Sequence, residues 1–127
     1  MYNDSQIKIR WEVTDPQGRQ VVLKENTYEH HVIGDHDTQD VKIRARTEKN
    51  AKQTIINPNL IAKDDSTRHL YYNAVAIRDE ENNTKVKLLK VVVDADRTPN
   101  EVVTWTPIRK GDNLGCGAII YERGAND

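Results

Sequence analysis

Ile7, Ile9, Trp11 and Val13 alternate with polar residues, the period-two pattern of a strand with one buried face. Thr14-Asp15-Pro16-Gln17-Gly18 interrupts it with a turn: proline presets φ, and glycine accepts a positive φ. Val21-Val22-Leu23 follows as the return strand, so the chain opens with a β-hairpin. Asn26 and Glu29 have the spacing of a capping box, and Gly34 suits the residue just past a helix end. The expectation is a short helix over 27–33.

Thr38 starts a second expected helix through Val41, Ala45, Ala51 and Ile55, stopped by Asn57-Pro58 because the residue before proline leaves helical space. Asn59-Leu60-Ile61 reads as a connector. Leu70, Tyr72, Ala74 and Ala76 then alternate with His69, Tyr71, Asn73 and Val75. Val86 to Val93 is the most apolar run and the expected central strand, and Glu101-Val102-Val103-Thr104-Trp105 is the next one. Ala118 to Tyr121 adds a short edge strand. The predicted fold is α+β: an N-terminal β-hairpin, two helices, then an antiparallel sheet of about four strands.

With 127 residues, one domain over 1–127 is expected, and it needs no disulfide or metal to hold a core. There is no Phe, so that core must be aliphatic with a few Tyr and Trp. A net charge of −1 excludes a protein that holds nucleic acid or a membrane surface by bulk charge, though not one with a local basic patch. Cys116 is the only cysteine, which excludes an intrachain disulfide and a cysteine-built zinc cage. Residues 1–5 lack the basic start and apolar core of a signal peptide, and no run approaches the roughly 20 apolar residues of a membrane span. The expected location is the cytoplasm. Gly115-Cys116-Gly117 lacks the Lys-Ser/Thr tail of a phosphate loop.

Three of the four histidines fall at His30, His31 and His36, around Gly34. Imidazole is the side chain most easily protonated and deprotonated near neutral pH, so the segment is a candidate acid–base site. His30 and His31 are neighbours and point about 100° apart on an α-helix, so one site takes at most one of them. His31 and His36, with Asp35 and Asp37, offer donors to zinc or manganese, but their five-residue spacing is not that of helical ligand pairs; no metal is expected.

The hairpin, the His-centred helix, Thr54-Ile55-Ile56-Asn57-Pro58-Asn59-Leu60-Ile61, the Leu-Tyr-Tyr strand, Leu88-Leu89-Lys90-Val91-Val92-Val93 and Val-Val-Thr-Trp follow in an order that resembles a known group. It is the phage-associated branch of the barnase–EndoU–colicin–RelE superfamily of metal-independent ribonucleases, and the resemblance covers about residues 5–109. The chain departs from that pattern at His36-Asp37, where a His-Pro pair is expected, and at Thr106, where an aromatic is expected.

The resemblance implies helices before a four-stranded sheet, no cofactor, and cleavage of RNA by transesterification to a 2′,3′-cyclic phosphate and a 5′-hydroxyl. It implies His31 as general acid or base and His36 as a second proton-transfer or phosphate-binding group. Lys90 and Thr104 would contact the phosphate, as would Arg44 and Arg46, and Tyr71 or Tyr72 would stack on a base. An immunity or antitoxin protein would be a natural partner. Two other readings stand beside it: a non-catalytic phage structural or accessory module that binds nucleic acid or protein, and a β-rich interaction domain with incidental histidines. In those, the basic helix face is simply solvated, Lys90 lays its stem along the sheet, Tyr71 or Tyr72 is core, and Thr104 is ordinary strand chemistry.

Overall fold

The computed structural model describes residues 8–34, 38–64, 66–78, 81–108 and 118–124. Strands β1 (Ile9–Thr14) and β2 (Gln20–Lys24) form the expected hairpin. Its turn is built on Asp15, whose buried carboxylate accepts hydrogen bonds from the Gln17 and Arg19 amides, from Arg19 Nε and from the Tyr71 hydroxyl. A buried carboxylate is tolerable because every one of these donors meets it. Gly18, at φ +87°, takes the left-handed corner that glycine adopts without steric cost.

Helix α1 (Glu25–Thr27) starts directly after β2 and widens into a π-helical turn over Tyr28–Gly34. Lys24 occupies the N-cap and provides no side-chain cap, so the expected Asn26–Glu29 capping box does not set the start. The long helix expected from Thr38 is two helices, α2 (Thr38–Arg46) and α3 (Glu48–Ile56). At the junction, the Thr47 hydroxyl donates to the Ile43 carbonyl at 2.6 Å, a back-bond that bends helices.

After α3 come β3 (Leu60–Lys63), β4 (Arg68–Arg78), β5 (Thr84–Asp94), β6 (Asn100–Pro107) and β7 (Ala118–Glu122). The expectation of two helices on a four-stranded antiparallel, barnase/RelE-like sheet is overturned. All seven strands lie in one mixed sheet, ordered β1-β2-β6-β5-β4-β3-β7. Two features enlarge it. The residues expected to form a connector at Leu60 are a strand, which gives β7 an edge to pair with. The hairpin joins the same sheet because β2 runs parallel to β6, through Val21–Asn100 and Val22–Glu101.

The helices cover one face, over a core of Val21, Leu23, Val32, Ala51, Ile55, Ile61, Tyr71, Leu89, Val91 and Trp105. Ala62, Leu70, Tyr72 and Val92 form a smaller buried cluster on the opposite face. The sheet curls around the helices, so that the Gln17 side chain of the hairpin turn donates to the Ile120 carbonyl of β7. The first helical segments and α3 are fastened to β1 by Arg10. Its guanidinium bonds the Glu48 and Glu25 carboxylates and lies 3.7 Å over the Tyr28 ring, while the Trp11 indole also donates to Glu48.

Two titrating groups make stability depend on pH. Burial, with the nearby Arg19 charge, lowers the pKa of His69, and hydrogen bonds from Arg10 and Trp11 lower that of Glu48. Each group binds its proton less readily folded than unfolded, so each stabilises above its unfolded pKa and loses that contribution as pH falls through its folded one. The stability measured by urea unfolding is therefore expected to fall below about pH 6.5 and again below about pH 4.3. His69→Asn flattens the first decline; an identical curve for that variant would contradict the assignment.

Candidate functional site

β2 pairs with β6 at two positions and then leaves it. The chain beyond Lys24 turns into α1, and between this segment and the ends of β4, β5 and β6 lies a groove of about 880 Å³. Tyr71, Val93 and Leu23 face the helices, so by strand alternation their neighbours Arg68, Asp94 and Lys24 project from the opposite face. The groove therefore opens on the face away from α3, and the α1 and π-helical segment forms one wall, carrying Glu29 and His31.

The groove's charges fall into two sets. Lys24 bonds Glu101 at 3.0 Å, and Arg97 lies 3.6 Å from Asp94 and 3.7 Å from Glu101, so these two cations are held by the groove's own carboxylates. Lys8 and Arg68 also line it, and their side chains make no ion pair among the described residues. His31 is exposed at the wall. The local surface thus offers an imidazole, a carboxylate at Glu29 and two available cations. Among the described residues, no three His, Cys, Asp or Glu side chains come together as a metal-binding group.

Of the residues expected to act, His31 lies in this groove. His36 lies outside the described residues, as do Asp35 and Asp37. Thr104 is next to Val103, which lines the groove. A bulge in β6 between its pairings with Val92 and Val93 makes Val103 the extra residue. The Thr104 hydroxyl oxygen is buried and makes no hydrogen bond among the described residues. Such an atom is uncommon in native structures, and Thr104 itself does not line the groove. Lys90 sits two residues further into the sheet, between Tyr72 and Thr106 in register, away from the groove lining.

The basic and aromatic expectations fare differently. Arg44 is used internally: Nε donates to the Trp105 carbonyl at 3.0 Å, and Nη1 donates to Val32 at 3.2 Å. The Trp105 indole in turn donates to the Arg44 carbonyl at 3.0 Å. The reason is topological. Past Glu101 no strand among the described residues pairs with the β2-facing edge of β6, and a side chain from α2 meets the backbone there. Arg46 is exposed at a different groove, at the far end of β4. Tyr71 and Tyr72 point to opposite faces, and both are buried, so neither ring is open for stacking on a base. Burial and the Asp15 carboxylate raise the Tyr71 pKa and keep its hydroxyl protonated as a donor.

Sequence reasoning missed Lys8, Arg68 and Glu29 as site residues. They come from the start of β1, the start of β4 and the π-helical turn, and no spacing in the sequence links them. No family model, curated protein or solved structure matches the chain significantly, so the site is read from its own chemistry.

Arg44 can be tested as a structural clasp. Arg44→Met is expected to lower the unfolding free energy by about 2–4 kcal/mol, since two carbonyls lose a charged donor. An unchanged denaturation midpoint would show that these bonds contribute nothing.

Proposed function

We propose that the groove beside His31 binds a phosphodiester of single-stranded RNA, and that the protein is a metal-independent endoribonuclease. The observation that carries this reading is an exposed imidazole sharing one groove with Lys8 and Arg68, which make no ion pair among the described residues, and with the carboxylate of Glu29. The order of motifs from the hairpin to Val102-Val103-Thr104-Trp105 supports the same chemistry.

Such a reaction moves two protons. A base takes the 2′-hydroxyl proton, and the 2′-oxygen attacks phosphorus. The bond from phosphorus to the 5′-oxygen breaks, and an acid protonates that oxygen. In this reading Glu29 and His31 share those roles, while Arg68 and Lys8 offset the charge that grows on the phosphorane. Guanidinium suits the phosphate because its planar fork can bond two oxygens at once. Among the described residues, no helix is long and apolar enough to cross a membrane. An RNA target and a single thiol fit action in the cytoplasm, where a protein inhibitor of the immunity or antitoxin kind would restrain it. A second reading, a non-catalytic nucleic-acid-binding module, draws on the Lys24–Glu101 and Arg97–Asp94 pairs, which leave the groove nearly balanced in charge.

The test is cleavage of a mixed-sequence RNA in EDTA, following cyclic-phosphate ends, by the protein and by His31→Ala. The expected outcome is cleavage by the parent and a loss of about 100-fold or more in the variant. No cleavage by the folded protein from about pH 5 to 8 would favour the binding module.

A further inference from the structure

Three neighbouring strands each bring one charged residue to the groove beside His31. Arg68 of β4 is in register with Asp94 of β5, and Asp94 with Glu101 of β6. Two further cations meet the carboxylates there. Lys24 Nζ lies 3.0 Å from Glu101 Oε1. Arg97, in the β5–β6 connection, lies 3.7 Å from Glu101 Oε2 and 3.6 Å from Asp94 Oδ2.

The two cations are held unequally. Lys24 is 27% exposed and within hydrogen-bonding distance of Glu101, whereas the Arg97 side chain is 62% exposed and too far from either carboxylate for a hydrogen bond. Ion pairs as open as those of Arg97 contribute little, because water screens them. A phosphate is the better partner, since it can take two parallel donors of the guanidinium fork. The exchange strands neither carboxylate. Glu101 keeps Lys24, and Asp94 keeps the Asp96 amide at 3.0 Å and the Thr67 hydroxyl at 3.3 Å.

We infer that Arg97 is a second phosphate ligand of this groove, given up by Glu101 and Asp94 to the incoming strand, so that the site takes two consecutive phosphates. The inference rests on the reading that a first phosphate lies beside His31 and Arg68. Asp94 adjoins both arginines, Arg68 by register and Arg97 by ion pair, so the two phosphates are neighbours on one strand. Glu101 is then an internal competitor for the second phosphate. A ligand with a single phosphodiester leaves Arg97 with its carboxylates.

The experiment compares two deoxyoligonucleotides, which have no 2′-hydroxyl and are not cleaved, on the full chain. One is a dinucleotide with a single phosphodiester; the other is a trinucleotide with two, and neither carries a terminal phosphate. Affinity is measured by calorimetry over a range of salt. The parent is expected to bind the trinucleotide about five-fold more tightly than the dinucleotide, and Arg97→Gln to remove most of that difference. The same variant should lower the slope of log affinity against log salt by about 0.7 for the trinucleotide, one phosphate contact on a single strand, and leave dinucleotide binding unchanged. Arg97→Lys keeps the charge and should restore the slope but only part of the affinity, because the fork is lost. Glu101→Gln, with the competitor gone, should bind the trinucleotide about three-fold more tightly than the parent.

A trinucleotide preference and slope unchanged by Arg97→Gln would overturn the inference. So would weaker trinucleotide binding by a Glu101→Gln protein with the parent's thermal midpoint; should that variant not fold, Arg97→Gln decides alone. In either case dinucleotide binding that is lost in His31→Ala leaves the first phosphate site standing. A parent that binds neither oligonucleotide removes both, so the two claims fail separately.

Discussion

β2 lies parallel to β6 for two residue pairs and then departs, and much of the molecule answers that departure. An exposed strand edge presents backbone groups that need partners. Along the rest of β6, partners come from the helical segments: Arg44 reaches the Trp105 carbonyl, and the Trp105 indole returns a bond to the Arg44 carbonyl. The same tryptophan is the largest fully buried side chain, with Trp11 and Tyr28 against it at ring distances of 6.5 and 6.2 Å. One residue thus joins the sheet, α2 and the π-helical turn. On the opposite face, the space that β2 vacates is the groove.

The wall carrying His31 is held from the rear. Val32, the next residue, is fully buried in the main core, and its carbonyl takes a bond from Arg44. Arg10 bonds Glu25, at the start of the same segment, and lies over the Tyr28 ring. Site geometry depends on supporting side chains of this kind more than on the groove residues themselves. Glu101 fixes Lys24 and Arg97, while Arg68 and Lys8 make no ion pair among the described residues.

What could be read from the sequence follows from how local each feature is. Pro16 and Gly18 identify the hairpin because turn chemistry is confined to a few adjacent residues. The alternation across Leu70–Ala76 and the apolar run to Val93 identify β4 and β5 for the same reason. Leu60–Lys63 did not read as a strand because four residues after Asn-Pro carry little period, and its identity comes from pairing with both β4 and β7. The parallel contact of β2 with β6 joins residues some eighty positions apart, and no local pattern encodes it. Thr47 splits a helix whose periodicity runs on through it. His31 was legible as chemistry, but Arg68, Lys8 and Glu29 were not, since only the fold brings them to it. The tyrosines misled in the opposite way: both sheet faces are covered at Tyr71 and Tyr72, so alternation there separates two buried clusters instead of core from solvent.

The central claim is that a phosphodiester sits in the groove between α1 and the start of β6. The most direct measurement is a titration of the isotope-labelled protein with an uncleavable deoxydinucleotide, followed by amide and imidazole chemical shifts. The account predicts that the largest shifts map to His31, Arg68 and the Val103–Thr104 backbone. Shifts that spare these residues, or that centre elsewhere on the sheet, would contradict it.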